Sequence, residues 1–233
     1  PVVGGSGGTI TQTTPGETLT MPGQLLLSRV GHTFAGWSLV TTNGSGTVVG
    51  ATFSPTVPVK LYSSWTPNVY VVTYDANGGN GAPATASQSF NYGGTALTPS
   101  AKGTLTRTGY TFAGWSTTAV AAGTIYSNSN DSIAGTTTSY TPTGTISLYA
   151  KWTGNSYIVS FNANNGTGSI TGLGITAGTA KALTSNTTQI ARVGYTFAGW
   201  NSVADGSGTS YANGASVTLY GDTTLYAQWT PFK

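Results

Sequence analysis

The sequence predicts a mainly β protein built from three small tandem repeats joined into an elongated rod, and three observations predict it. The first is triplication. Gly31-His32-Thr33-Phe34-Ala35-Gly36-Trp37 returns as Gly109-Tyr110-Thr111-Phe112-Ala113-Gly114-Trp115 and again as Gly194-Tyr195-Thr196-Phe197-Ala198-Gly199-Trp200. A second signature trails each copy, Leu61-Tyr62-Ser63-Ser64-Trp65, Leu148-Tyr149-Ala150-Lys151-Trp152 and Leu225-Tyr226-Ala227-Gln228-Trp229, so all six tryptophans belong to the repeat. The second observation is apolar alternation at period two. The third is the lack of sustained helical spacing in a chain rich in threonine and glycine, both poor in helix interiors.

The elements follow in order. In the opening strand of the second unit Tyr70, Val72 and Tyr74 share one face, and in the third Tyr157, Val159 and Phe161 do the same. Each strand runs into a cluster, Asn77-Gly78-Gly79-Asn80-Gly81 or Asn164-Asn165-Gly166-Thr167-Gly168, where positive φ costs little and the chain reverses. A return strand is expected over Ser87 to Tyr92, with a counterpart before Ala177. The closing strand places Leu148, Ala150 and Trp152 on one face, the small alanine leaving room for the indole. One short helical turn per unit is the most that the sequence allows, near Ser100 to Leu105. The joints Thr66-Pro67-Asn68 and Thr153-Gly154-Asn155 are so short that neighbouring units must touch. The units run over residues 1–66, 67–153 and 154–233.

Spacing adds two expectations. Trp37 and Trp115 are 78 residues apart (115 − 37), as are Arg29 and Arg107, so Pro1 corresponds to Gly79. The first unit is therefore expected to lack its opening strand and to expose an apolar cleft with unpaired backbone groups. The tryptophans of the second unit lie 37 apart (152 − 115), against 28 (65 − 37) and 29 (229 − 200), which places an insertion between Ser116 and Thr145, expected as a surface loop.

Composition limits the function classes. Only 6% of residues are charged, and the net charge of +3 is scattered along the chain without a basic stripe, which argues against nucleic-acid binding. No stretch approaches the ~18 apolar residues of a membrane span. With no cysteine, neither disulfides nor thiolate metal sites can hold such small units. The expected substitute is an aromatic core of Trp37, Trp65, Trp115, Trp152, Trp200 and Trp229 with Phe34, Phe112 and Phe197, each ring able to remove about 150–250 Å² from water.

The ordered motifs Asp75-Ala76-Asn77-Gly78-Gly79, Arg107-Thr108-Gly109-Tyr110-Thr111-Phe112-Ala113-Gly114-Trp115 and Leu148-Tyr149-Ala150-Lys151-Trp152 closely resemble the Listeria–Bacteroides repeat, the B-repeat type of internalin-like surface proteins. The resemblance covers the second and third units and the first from about Gly8. It implies an α+β, β-grasp or ubiquitin-like unit with little helix, and a place in tandem arrays on secreted or cell-wall-attached bacterial proteins. It carries over no catalytic residues. His32 departs from the motif where Tyr110 and Tyr195 stand.

No catalytic, cofactor or metal site is predicted. His32 is the one imidazole and occupies an aromatic slot, and the five acids do not recur together. Asp75 begins a stretch like a calcium loop that lacks its closing acid, so a turn is the better reading. Surface contacts are assigned to Arg29, Arg107 and Arg192, which recur two residues before the motif glycine, and to Tyr126 and Tyr211, which could stack on sugar rings or lid the core. The arginines could equally lie over aromatic rings at the core edge. The expected function is a non-enzymatic stalk, spacer or adhesion module of an extracellular bacterial surface protein. Its partners would be other repeats of the same or neighbouring chains, or a host or cell-wall glycan or protein. The alternatives are a filament subunit, assembled by strand addition to the incomplete first unit, and a carbohydrate-binding module.

Overall fold

The structure, a computed structural model, describes residues 9–12, 16–24, 27–39, 48–120 and 123–233. It is almost wholly β. Among the described residues there is no α-helix, and none is long and apolar enough to cross a membrane. The helical turn expected near Ser100 to Leu105 is a hydrogen-bonded turn instead. A 3₁₀ turn lies at Ser129–Asp131, capped by Asn128, whose side chain accepts from the Asn130 amide.

Unit 2 shows the complete pattern. Its sheet is ordered return strand Ser87–Asn91, opening strand Val69–Asp75, closing strand Ile146–Gly154, motif strand Tyr110–Ser116. Opening and closing strands run parallel at the centre, with Ile146 opposite Val72 and Leu148 opposite Tyr74. Unit 3 repeats this order with Leu173–Thr176, Ser156–Asn162, Thr223–Pro231 and Tyr195–Asn201, and adds Ser210–Tyr211 at the edge. A β-grasp unit lays an α-helix across such a sheet. Here Leu105, Leu97 and Ile133, from connecting segments, cover that side of unit 2.

Each core depends on a bulge in the motif strand. Residues three apart on a regular strand face opposite sides, so Phe112 and Trp115 could not both enter the core. Pairing with the closing strand skips one residue at Ala113, since Trp152 opposes Phe112 while Lys151 opposes Gly114. The skip restores phase, and the same irregularity falls between Phe34 and Gly36 and between Phe197 and Gly199. The bulge glycines have φ of +118° at Gly36, +113° at Gly114 and +124° at Gly199.

Because of this bulge the phenylalanine stands edge-on to both tryptophans of its unit. The Phe34 centroid lies 5.8 Å from Trp37 and 5.4 Å from Trp65, Phe112 5.2 Å from Trp115 and 5.7 Å from Trp152, and Phe197 5.1 Å from Trp200 and 5.6 Å from Trp229, all T-shaped. Such pairs contribute about 0.5–1.5 kcal/mol beyond the area they bury. Trp37, Trp115 and Trp200 are essentially fully buried, Trp65 is buried, and Trp152 and Trp229 are half-buried.

Unit 1 departs from the expected open cleft. Thr9–Gln12 lies antiparallel along the closing strand, with Thr9 opposite Tyr62 and Gln12 opposite Val59. Offset by 78, Thr9 corresponds to Ser87, so this segment is the counterpart of the return strand. It takes the position that the opening strand holds in units 2 and 3, and it supplies partners to backbone groups of the closing strand that would otherwise lack them. The indole N–H groups register the exchange. Trp152 and Trp229 donate to the carbonyls of Ala76 and Ala163 at the end of their opening strands, whereas Trp65 donates to Ser63 Oγ.

The insertion of unit 2 is more than a surface loop, residues 121–122 lying outside the described residues. Tyr126 exchanges backbone hydrogen bonds with Trp115, Tyr140 does so with Leu97, and Ile133 packs on the core. Extra chain long enough to reach the uncovered side of the sheet gains by burying apolar groups there.

Three outcomes test these arguments. Gly114→Ala forces a Cβ to 2.7 Å from the Tyr126 carbonyl oxygen at positive φ. It is expected to destabilise unit 2 by at least about 2 kcal/mol in denaturant unfolding, while Gly144→Ala, with open space, stays within about 0.5 kcal/mol. Trp115 Nε1 donates to the Ser100 carbonyl at 2.7 Å, but buried Trp200 Nε1 has no partner. Trp115→Phe should therefore cost about 1–3 kcal/mol more than Trp200→Phe. Burial raises the Tyr74 phenol above its ordinary value of 10.0, against a hydrogen bond from the Ser100 amide that lowers it. Its contribution is then complete below that value and is lost as pH rises through the higher folded one, a loss that pH-dependent unfolding should show and Tyr74→Phe should flatten.

Candidate functional site at the unit joints

The positions that recur without serving a core lie where one unit meets the next. The closing strand of unit 1 ends at Pro67, Asn68 follows, and the opening strand of unit 2 begins at Val69, so one nearly unbroken strand crosses the boundary. Asn68 holds both sides. Its amide donates to the Gly31 carbonyl of unit 1 at 2.8 Å, and its carbonyl accepts from the Tyr92 amide of unit 2 at 2.9 Å. Its side-chain oxygen accepts from Thr33 Oγ1 at 2.7 Å, and its Nδ2 donates to Tyr70 Oη at 3.4 Å.

Asn155 repeats every contact at the second joint. Its amide donates to the Gly109 carbonyl at 2.9 Å, its carbonyl accepts from Ala177 N at 2.9 Å, Thr111 Oγ1 donates to it at 2.6 Å, and its Nδ2 donates to Tyr157 Oη at 3.4 Å. At the end of unit 3 Phe232 stands in the asparagine slot. Its amide still donates to the Gly194 carbonyl at 2.9 Å, but a phenyl ring offers nothing to Thr196. The same four hydrogen bonds, two to each neighbouring unit, thus recur at both joints.

The rings beside the joint differ. His32 meets Tyr92 edge-on with centroids 5.6 Å apart, while Tyr110 reaches into unit 3 beside Tyr220, 6.3 Å away. Arg107 lies over the Tyr110 ring at 4.2 Å and Arg192 over Tyr195 at 3.9 Å, and Arg107 Nη1 donates to the Asn77 carbonyl at 3.4 Å. A guanidinium so placed gains about 0.5–1 kcal/mol and stiffens the tyrosine. Arg29 is half-buried in a groove of about 520 Å³ with His32, Trp65 and Tyr92, and Arg107 in one of about 440 Å³ with Phe112, Asp131 and Trp152.

The remaining candidates have defined places. Tyr126 and Tyr211 are half-buried against the cores of units 2 and 3, their backbones paired with Trp115 and Trp200. Asp75 Oδ1 accepts from the Asn77 amide at 2.7 Å, and Asn77 Nδ2 donates inward to the carbonyls of Ala119 and Ala150, both at 2.9 Å. Asn164 does the same with Ala204 and Ala227. No cluster of three metal-ligating side chains occurs among the described residues. What the joints offer is hydrogen bonding and ring packing between successive units. Sequence reasoning marked Asn68 and Asn155 as joint residues but not as clamps; the signal was the paired recurrence of Thr33 with Asn68 and Thr111 with Asn155.

Asn155→Ala is expected to weaken the second joint by about 1–2 kcal/mol and leave the cores intact. Faster hydrogen exchange at the Ala177 amide, with unchanged exchange inside the sheets of units 2 and 3, is the measured outcome.

The Listeria-Bacteroides repeat domain matches this chain three times, at residues 3–63, 70–151 and 157–228. Two proteins of Evansella cellulosilytica are similar to it. One, named "Putative Gly-rich membrane protein", is 31% identical over 217 residues, covering 90% of this chain and 22% of that protein. The other, named "Putative membrane protein", is 28% identical over 204 residues, covering 85% of this chain and 28% of that protein. The chain thus spans about a quarter of the length of these relatives. With the three matched segments falling on the three larger sheets, the chain belongs to the Listeria-Bacteroides repeat family.

Proposed function

We propose that this chain is a non-enzymatic spacer of a bacterial cell-surface protein, in which three units joined at fixed angles form a stiff, elongated stalk outside the cell. The observation that carries this reading is the clamp at Asn68 and Asn155, where the same four hydrogen bonds recur within about 0.1 Å of one another. A strand crossing each boundary transmits tension through backbone pairing, and a clamp on both sides resists bending. Similarity to two proteins named as membrane proteins, of which the chain covers only a fraction, supports a place in a larger surface-attached protein. A skin with few charges suits such exposure, because little on it responds to salt or pH.

A second reading is weak adhesion to glycans. The grooves beside Arg29 and Arg107 combine a guanidinium with a tryptophan edge and favour it, and glycan-array binding abolished by Arg107→Ala would be its signature. The filament reading loses its motive, since Thr9–Gln12 of the same chain already pairs with the closing strand of unit 1.

Small-angle scattering of the full chain tests the spacer. An elongated particle with a narrow distance distribution, unchanged between low and high salt, is expected, and Asn68→Gly with Asn155→Gly should broaden it. A compact or broadly distributed native chain would overturn the reading.

A further inference from the structure

The insertion of unit 2 covers the core and also builds one wall of a groove. This groove, of about 440 Å³, is lined by Tyr110, Phe112 and Trp152, by the cations Lys102 and Arg107, and by Asp131 from the insertion. Its volume falls within the range of about 300–1,000 Å³ usual for small-ligand sites, and it has their make-up, an apolar wall with a few converging polar groups. The inserted wall is held in place. Ile133 packs on the core, and Asn128 Nδ2 donates to the Pro99 carbonyl at 2.8 Å. Asp131 accepts from the Lys102 amide through both carboxylate oxygens at 3.1 Å, which ties the insertion to the turn that carries Lys102.

These polar groups are positioned without being used up. Each carboxylate oxygen of Asp131 has a further lone pair for a hydroxyl donor. The Lys102 side chain is exposed, and among the described residues its ammonium makes no ion pair. Arg107 is half-buried over the Tyr110 ring and spends one donor, Nη1, on the Asn77 carbonyl at 3.4 Å, so most of its N–H groups are left for a ligand.

The charges choose the occupant. Two cations against one acid leave the groove net positive, yet Asp131 opposes a bare anion such as phosphate. A ligand that carries a carboxylate and hydroxyls together suits both signs, its carboxylate meeting Lys102 and Arg107, a hydroxyl donating to Asp131, and its apolar face lying on the aromatic wall. Units 1 and 3 do not repeat this arrangement. Aligned on the motif tryptophans, Gln24 (102 − 78) and Thr187 (102 + 85) stand where unit 2 has Lys102, and neither unit has the insertion that supplies Asp131.

We infer that the groove between Lys102, Arg107 and Asp131 is a binding site for a carboxylated sugar, a uronic acid residue of an acidic polysaccharide, and that Lys102 selects its charge. This rests on the glycan reading of the grooves and narrows it to one unit and one class of sugar. A stalk with such a site in its middle unit holds an acidic polysaccharide beside the strand that crosses into unit 3.

Titration of the full chain with tetragalacturonate tests the inference, with the methyl ester of that sugar and tetraglutamate as comparison probes. Tetragalacturonate should bind, the ester should bind at least about tenfold more weakly, and Lys102→Ala, at an exposed position, should cost the acid a similar factor while leaving the ester unchanged. Arg192→Ala, in a unit without the site, should leave binding within about twofold of wild type. Equal binding of acid and ester, or loss with Arg192→Ala and not with Lys102→Ala, overturns the inference, and tetraglutamate bound as tightly as the sugar acid overturns it in favour of an acidic peptide. Neutral sugars retained on a glycan array without tetragalacturonate would sink this inference and leave the glycan reading standing, whereas no sugar retained at all would sink both.

Discussion

The bulge at Ala35, Ala113 and Ala198 is the constraint on which the rest of this protein depends. It converts a spacing of three residues, useless on a regular strand, into one that delivers phenylalanine and tryptophan to the same face. Only then can the ring at Phe34, Phe112 or Phe197 stand edge-on between two indoles. A core this small, in a chain with no cysteine to form a disulfide, rests on a few large rings meeting in a defined geometry. The glycine after the bulge adopts a backbone conformation that other residues resist, and it is therefore as much a part of the core as the tryptophans.

The same strand that seats the aromatic core also builds the joint. His32, Tyr110 and Tyr195 begin it, and the glycines just before them offer their carbonyls to the chain entering the next unit. Core and joint are thus two ends of one seven-residue element. A disturbance at either end has a short path to the other, through a strand paired along its length with the closing strand. In the proposed spacer, stiffness arises because the closing strand continues across Asn68 or Asn155 into the sheet that follows, so that no flexible linker intervenes.

Unit 1 illustrates how a sheet answers a local shortage. Its closing strand keeps the inward leucine and tryptophan of units 2 and 3, with Ser63 in place of Ala150 and Ala227, and its backbone there needs partners regardless of which segment supplies them. The counterpart of the return strand fills that position in antiparallel sense, and the Trp65 indole donates to the Ser63 hydroxyl, an oxygen that Ala150 and Ala227 cannot offer. The insertion of unit 2 shows the converse, extra chain recruited to cover apolar surface. Both follow from the cost of leaving polar backbone or apolar side chains unpartnered.

The repeats, the strand faces at Tyr70 to Tyr74 and Tyr157 to Phe161, the turn at Asn77 and the place of the joints were all determined by sequence alone, because alternation, glycine and recurrence are local properties. The bulge left a trace, since Phe-Ala-Gly-Trp fits neither strand nor helix spacing, but its effect appears only once the closing strand is laid beside it. What only the tertiary structure decided depends on distant partners: that Thr9–Gln12 would pair along the closing strand of the first unit, that Ile133 and Tyr140 would return to the core, and that His32 would meet Tyr92 across the joint. A residue's size is written in the sequence, but the space it must fill is set by a residue some 60 positions away across a boundary, and that distance is known only when the chain is folded.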